Sequence, residues 1–429
     1  AHLTRTVTDS FAYFPSAVPE LKGAKIIKTG PWEVTVKLPL EALLSGVSRF
    51  GDSTFIQAAE LVQKYGNLQN WKLSVGTGAF ILTDYVPSSQ AVYVRNPNFW
   101  MKDPIGPGKG NQLPYLDGIQ YLIIPDASTR QAALRTGKID QLPNLSLEDS
   151  ALMRKTAPEL KELQWAGSRL GAVGGNVNKP PLNNIRVRRA MMMSLDFNAI
   201  NQSLYGGKGQ IVTWPVSYFM EYAGLYVAWE DKDFPESARE LYTYNPEKAK
   251  QLLKEAGYPN GFKTSLLLTS TDVDYFSIWK DMWAKVGIDL KLDIKESGAI
   301  NAIREAGQQE GFAIGGAADA QLWFNSSFIQ GTSRSNISFL DDPVINKALD
   351  EVRLTAVTVG EAEAMRLYRE MVKYILDQAY AVPRHKVPLS HFWWPWIRNY
   401  SGETYIGYSD GSWPQWVWLD QDLKKSMGH

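Results

Sequence analysis

The chain of 429 residues is 44% hydrophobic and 21% charged, a balance typical of globular proteins, and its length predicts about two to three domains. Lys and Arg together number 45, as do Asp and Glu, so the formal net charge is zero, which argues against non-specific nucleic-acid binding and against a polybasic membrane patch. The sequence has no cysteine, which removes thiol chemistry and disulfides, and no apolar run approaches the roughly 18 residues of a membrane span.

The first third of the chain is predicted to form short strands and helices separated by turns. Residues Trp32–Leu38 alternate between apolar and polar side chains, a pattern typical of a strand. Two apolar runs on either side of a Pro-Ser-Ser turn predict a hairpin. The elements expected in order are a strand at Trp32–Leu38, a helix over 53–66, hairpin strands at Ala79–Tyr85 and Ala91–Arg95, a loop over 101–114, a strand at Ile119–Ile124, and helices at Ser128–Gly137 and Ser146–Lys155.

The middle of the chain contains the helix with the clearest limits, Asn245–Ala256. Asn245 is a residue type that caps helix N-termini, Pro246 stands at the first helical position, and Gly257 is the residue type that follows helix C-termini. Residues Arg186–Leu204 predict one longer helix, ended by a Gly-Gly pair.

Beyond residue 260, strands and helices alternate. Strands are expected at Thr264–Leu268, Asp289–Ile294 and Phe312–Gly315, and helices at Val273–Lys285, Val344–Leu354 and Glu361–Gln378, followed by a Trp-rich tail with turns over 393–419. Because strands alternate with helices, the fold class is predicted to be α/β, in more than one lobe.

No motif for catalysis or metal binding stands out. The histidines are His2, His385, His391 and His429; none lies in an H-E-x-x-H pattern, and no G-x-S-x-G motif occurs. The Gly-rich stretches lack the spacing of phosphate-binding or dinucleotide-binding loops. A glycosidase-type pair of carboxylates is compatible with the composition, but no pattern favours it. We therefore expect no enzyme activity, no metal site and no cofactor.

Several segments, in the same order along the chain, resemble the oligopeptide/dipeptide-type solute-binding proteins of ABC importers (family 5). The segments that carry the resemblance are Val75–Phe80 with Arg95–Trp100, Leu113–Ile119 with Gln131–Asp140, Asn178–Ala190, Asn245–Tyr258, and Pro395 to Tyr400. These segments belong to the scaffold of the fold and do not identify the ligand. Family members carry roughly another hundred residues before the point where this sequence starts, so we expect that this part is lacking here.

The resemblance implies a two-lobed periplasmic-binding-protein-like fold of type II, with an extra domain on the first lobe. Residues 1–73 are then the remnant of the extra domain. Residues 74–205 with 402–429 form the first lobe, and residues 206–401 form the second. Glycines near both predicted crossings between the lobes suit a hinge, because they tolerate large backbone rotations.

The resemblance also implies a function in transport. We expect a periplasmic or cell-surface protein that closes its lobes around a ligand and delivers it to the membrane permease of an ABC importer. A peptide is the first expectation for the ligand. The alternatives are an oligosaccharide, which the 15 Trp residues favour, and an extracellular structural or assembly protein that reuses the scaffold. Any lipid anchor, as in lipoproteins, lies outside this sequence, and no nucleic-acid partner is expected.

Asp319 is the first candidate for a ligand-binding residue. It matches the position at which peptide-binding relatives place an acid that pairs with the free amino end of the ligand; the alternative is an aspartate in a turn. Trp323, Phe324 and Asn325 follow, and their rings and amide suit stacking and hydrogen bonding to a sugar or a peptide side chain, or packing within the lobe. An Arg that meets the peptide carboxylate in some relatives falls near Ala313, so that contact is lost here.

Four further candidates come from two other segments. Trp214 and Tyr218 fall where relatives border the ligand cleft. Arg384 and His385 follow a short apolar segment and suit contact with a carboxylate or phosphate, although a surface pair is the alternative. The remaining Trp residues of the tail are expected to pack within the protein.

Overall fold

The computed structural model describes residues 24–48, 58–66, 70–166, 171–218, 220–316, 329, 336–402 and 413–429. These residues divide into two compact units. Unit 1 comprises the described residues between 50 and 166 and from 388 onward, and unit 2 comprises those up to 49 and between 167 and 387. The sequence places the lobe limits at 205/206 and 401/402 instead, and that division stays a prediction.

The regular elements within the described residues are short. The strands are β1 (Lys25–Lys28), β2 (Val34–Lys37), β3 (Phe80–Val86), β4 (Gln90–Arg95), β5 (Gly118–Leu122), β6 (Gln141–Leu145), β7 (Lys161–Ala166), β8 (Gly171–Gly174), β9 (Phe262–Leu268), β10 (Ile288–Ile294), β11 (Phe312–Gly316), β12 (Val382–Pro383), β13 (Pro388–Trp393), β14 (Ile397–Arg398) and β15 (Trp418–Leu419). The α-helices are α1 (Leu43–Ser48), α2 (Ala59–Tyr65), α3 (Ala127–Arg135), α4 (Leu147–Thr156), α5 (Ile185–Met193), α6 (Phe197–Tyr205), α7 (Glu236–Leu241), α8 (Pro246–Glu255), α9 (Val273–Ala284), α10 (Ser297–Glu305), α11 (Pro343–Thr358), α12 (Glu361–Gln378) and α13 (Gln421–Ser426).

Unit 2 is built on a five-stranded sheet with the strand order β10-β9-β11-β8-β12. β9 is parallel to both β10 and β11, whereas β8 is antiparallel to β11 and β12. A parallel pair needs a crossover connection, and α9 provides it between β9 and β10. The sheet with its crossover helix confirms the predicted α/β class.

The core of unit 2 is rich in aromatic side chains. Trp279 and Trp283 lie one turn apart on α9, are fully buried, and have ring centroids 5.6 Å apart. The Trp283 ring also contacts that of Phe312 on β11, with centroids 5.8 Å apart, and its Nε1 donates to the Met191 carbonyl oxygen over 3.0 Å. Many of the Trp residues counted in the sequence therefore stabilise the fold.

The helix with the clearest sequence limits, α8, is confirmed. The Asn245 side chain accepts a hydrogen bond from the backbone N–H of Lys248, and Pro246 occupies the first helical position. Gly257 follows the helix with a φ of +90°, a conformation in which a side chain is strained. Each terminus is thus set by residues within one turn of it.

The single long helix predicted over Arg186–Leu204 is wrong. Two helices, α5 and α6, replace it, and the break lies at residues 194–196. The Asp196 side chain accepts a hydrogen bond from the Ala199 N–H and so caps α6. The apolar periodicity continues through the break because both helices pack against the same core, which conceals it in the sequence.

Unit 1 has a core of its own, beside the antiparallel sheet β6-β13-β7. A second antiparallel sheet, β3-β4-β5, confirms the predicted hairpin, with pairing from Phe80 opposite Arg95 to Val86 opposite Gln90. The Trp-rich tail contains the end of β13 and the short strands β14 and β15, and α13 follows it. In the described ranges, no helix is both long and apolar enough to cross a bilayer.

Candidate functional site

Half of the candidate residues from the sequence lie in the described part of the chain. Trp214, Tyr218, Arg384 and His385 all belong to unit 2. The other candidates lie outside the described residues: Asp319, Trp323, Phe324 and Asn325.

Backbone pairing brings the two described segments together. The N–H of Gln210 donates to the carbonyl oxygen of Lys386 over 2.7 Å, and the Lys386 N–H donates back over 2.9 Å. The Thr213 hydroxyl donates to the carbonyl oxygen of Arg384 over 2.6 Å. Residues 210–218 therefore run beside residues 384–386, although more than 160 residues separate them.

The two aromatic candidates of this region differ in exposure. Trp214 is 3% exposed and belongs to the core of unit 2. Tyr218 is 44% exposed, and its ring stands edge-on to that of Tyr226 with centroids 5.7 Å apart. Of these two residues, Tyr218 is the one whose ring is exposed to solvent.

Arg384 is engaged within unit 2. Its Nη2 lies 2.7 Å from Oδ1 of Asp272, and both side chains are mostly buried. The guanidinium also lies over the rings of Tyr275 and Phe276, 5.3 and 5.1 Å from their centroids. A carboxylate and two ring faces already neutralise and cover this cation.

His385 is buried, and both of its ring nitrogens are bonded. Nε2 lies 2.7 Å from the carbonyl oxygen of Phe197 and Nδ1 lies 2.9 Å from the Tyr275 hydroxyl. Because a carbonyl only accepts, Nε2 carries the proton and Nδ1 accepts from Tyr275. Burial lowers the pKa of His385 to about 4, so the ring is neutral at pH 7. The ligand contacts of Arg384 and His385 stay predictions.

Lys386 is the residue of this region that sequence reasoning missed. It is 2% exposed, and its Nζ donates to the Tyr218 carbonyl oxygen over 3.1 Å and lies 3.4 Å from the Ser217 hydroxyl. Its position one residue past the Arg-His pair was the only available signal. Its buried amino group thus lies beside the exposed Tyr218 and holds the backbone of that residue.

Metal binding finds no support in the described ranges, where no group of three or more His, Asp and Glu side chains is placed to hold an ion. The chemistry available around the Gln210–Lys386 pairing is that of recognition: one exposed ring, one buried lysine amino group and a neutral imidazole that holds the backbone in place.

Comparison with known proteins adds the family context. The family model for bacterial extracellular solute-binding proteins, family 5 (middle), matches residues 5–335. Heme-binding protein A of Haemophilus influenzae is 36% identical over 190 residues, which are 44% of this chain and 30% of that protein. The dipeptide-binding protein of Escherichia coli (strain K12) is 28% identical over 340 residues, 76% of this chain and 58% of that protein. The chain thus spans less than two thirds of the length of each of these two relatives.

A solved structure supports the fold. The ABC transporter-associated periplasmic binding protein DppA from Helicobacter pylori, in complex with the peptide STSA, matches with a TM-score of 0.75 at 24% identity. The match covers 92% of this chain and 74% of that one. At this level of identity the similarity shows the fold alone, and it confirms the predicted periplasmic-binding-protein-like fold.

Proposed function

Because the chain belongs to family 5 of the bacterial extracellular solute-binding proteins, we propose that it binds a small solute outside the cytoplasm and delivers it to the membrane permease of an ABC importer. The family match over residues 5–335 carries this proposal, since it covers most of the chain. Such a protein supplies pocket walls and a few fixed polar groups, and breaks no bond. Closure of two lobes around the solute stays a prediction.

The solute is proposed to be a peptide. One relative is a dipeptide-binding protein, and the structure of similar fold holds the peptide STSA. A peptide with free termini offers an ammonium group and a carboxylate. The chain offers Asp319 for the first of these, by resemblance to peptide-binding relatives.

The region around the Gln210–Lys386 pairing is proposed to contribute to the same function. Tyr218 supplies an exposed ring for apolar or amide groups of the peptide. Lys386 supports the backbone of Tyr218 through its hydrogen bond to that carbonyl oxygen. Arg384 and His385 hold their segment against α9 and α6.

Replacing Asp319 by Asn tests the proposed function. We expect the affinity for L-alanyl-L-alanine, measured by isothermal titration calorimetry, to fall about ten- to a hundredfold, because a hydrogen bond to a charged group contributes about 1.5–3 kcal/mol. N-acetyl-L-alanyl-L-alanine, which has no ammonium group, is expected to bind the original chain as weakly as the unmodified dipeptide binds the variant.

The matched control is Asp281→Asn, at an exposed position of α9, which is expected to leave the affinity unchanged. Equal affinity of the Asp319 variant and the original chain for the dipeptide would contradict the role of Asp319. Binding of an oligosaccharide such as maltotriose, with no binding of peptides of two to five residues, would replace the peptide by a sugar as the solute.

A further inference from the structure

A cluster of three rings in unit 1 contains polar atoms that the described fold leaves without partners. His391 and Trp393 lie two residues apart on β13, so both side chains point to the same face of the sheet β6-β13-β7. Their ring centroids are 5.7 Å apart, and the ring of Tyr400 lies 5.7 Å from the first and 5.2 Å from the second. His391 and Trp393 are only 2% and 4% exposed.

Two neighbouring tryptophans of unit 1 differ from Trp393 in their hydrogen bonding. Trp394 Nε1 donates to the Leu134 carbonyl oxygen over 2.7 Å, and Trp396 Nε1 donates to Asp140 Oδ1 over 2.8 Å. Trp393 Nε1 is equally inaccessible, yet it has no hydrogen-bond partner among the described residues. Since an indole N–H only donates, the missing partner must be an acceptor.

His391 has the same deficit on one nitrogen. Its Nε2 lies 3.3 Å from the Tyr400 hydroxyl, whereas Nδ1 has no partner in the part of the chain that the structure describes. His385, the buried histidine of unit 2, has both nitrogens bonded. Buried polar atoms are nearly always paired, and an unpaired one destabilises the folded state. Two such atoms lie on neighbouring rings, whose centroids are 5.7 Å apart, on one face of one strand.

The cluster lies close beneath the protein surface. Leu163 of β7 pairs directly with His391 across the sheet and is 39% exposed. A methyl group at Gly402 would come within 3 Å of both Leu163 and Trp393, so the chain passes closely over this point. A small group beside the two unpaired nitrogens is thus only one side chain away from solvent.

We propose that an oxygen atom is bound at Trp393 Nε1 and His391 Nδ1, supplied by water or by the transported solute. A hydroxyl oxygen suits both nitrogens, because it accepts from the indole N–H and either accepts from or donates to the imidazole. A solute carbonyl or carboxylate oxygen satisfies the indole equally well. The case in which the solute supplies the oxygen rests on the proposed transport function. The case in which water supplies it does not depend on that function.

High-resolution crystal structures of the full chain, without solute and with L-alanyl-L-alanine, test this inference. We expect an oxygen within about 3.2 Å of Trp393 Nε1. An isolated peak in the solute-free crystal identifies water, and a peak continuous with the dipeptide identifies the solute. No oxygen in either crystal, or a protein oxygen that accepts from this N–H, overturns the proposal. If the dipeptide does not bind at all, the solute-free crystal still decides the water case.

Trp393→Phe gives an independent readout, with Trp394→Phe and Trp396→Phe as matched controls that lose a known hydrogen bond. All three variants are expected to lower the melting temperature by about 2–4 °C, since each removes one hydrogen bond and the same part of a ring. If the oxygen is the solute's, the decrease for Trp393→Phe equals that of the two controls only with L-alanyl-L-alanine bound, and is smaller than theirs without it, because only the loss of part of the ring then remains. A decrease for the Trp393 variant that is smaller than that of the two controls in both conditions shows that no hydrogen bond is lost and contradicts the proposal.

Discussion

At pH 4 the folded chain is expected to be less stable than at pH 7 by about 3 kcal/mol on account of His385, and by about the same amount on account of His391. Burial lowers the pKa of each imidazole from its ordinary value of 6.5 to about 4, because it disfavours the charged form. The unfolded chain therefore binds these protons at higher pH than the folded chain. The contribution that each neutral imidazole makes to the free energy of unfolding is complete above pH 6.5. It is lost as the pH falls from 6.5 towards 4 and changes little below pH 4.

Urea unfolding at a series of pH values between 7 and 4 measures this effect. His385→Gln and His391→Gln are expected to flatten the dependence of the free energy of unfolding on pH within that window, each by about half of the histidine contribution. The two residues belong to different units, so each unit should show its own acid sensitivity. His429→Gln, at an exposed histidine, is the control. If all three variants show the same pH dependence as the original chain, neither buried imidazole is responsible for the loss of stability in acid.

Replacing Trp283 by Ala is expected to lower the free energy of unfolding of unit 2 by about 3–5 kcal/mol. The ring is fully buried, contacts Trp279 and Phe312, and donates a hydrogen bond to the Met191 carbonyl oxygen. The variant therefore loses apolar burial, leaves a cavity, and loses one of the two hydrogen bonds that the Met191 carbonyl oxygen accepts, the other coming from the Ser194 hydroxyl. Its position on α9 also connects that helix to β11 and α5.

Two further variants separate these contributions. Trp283→Phe keeps most of the buried ring and is expected to cost less than half as much as Trp283→Ala, mainly through the lost hydrogen bond. Trp32→Ala removes an indole that is 100% exposed in the same unit and is expected to cost less than about 0.5 kcal/mol. Urea unfolding followed by circular dichroism measures all three. Similar losses for Trp283→Ala and Trp32→Ala would mean that the α9 aromatic core does not stabilise unit 2.

Local signals account for the elements that were predicted well. The limits of α8 follow from Asn245, Pro246 and Gly257, whose effects act on the backbone within one helical turn. The hairpin β3–β4 follows from alternation on either side of a turn. The break between α5 and α6 was missed because Asp196, the residue that caps the second helix, lies within a continuous apolar pattern.

The candidate site was predicted less completely. Resemblance to the family led to Tyr218, and the chemistry of two polar side chains after a short apolar segment led to Arg384 and His385. Backbone pairing places them in one region of unit 2. It did not show that Asp272 holds Arg384 or that Lys386 is buried beside Tyr218. Asp319 lies outside the described residues, so its role depends on the resemblance and on the binding experiment.

The sequence by itself determined the α/β class, the family and the limits of the well-capped helices, because these depend on periodicity and on neighbours a few residues apart. The tertiary structure alone decided which polar groups are paired. His385 meets Tyr275 and Phe197 across 110 and 188 residues, while His391 and Trp393 each have one nitrogen that no described residue pairs. Whether a buried donor finds an acceptor depends on which distant segments the fold brings within about 3 Å, and no local pattern records that distance.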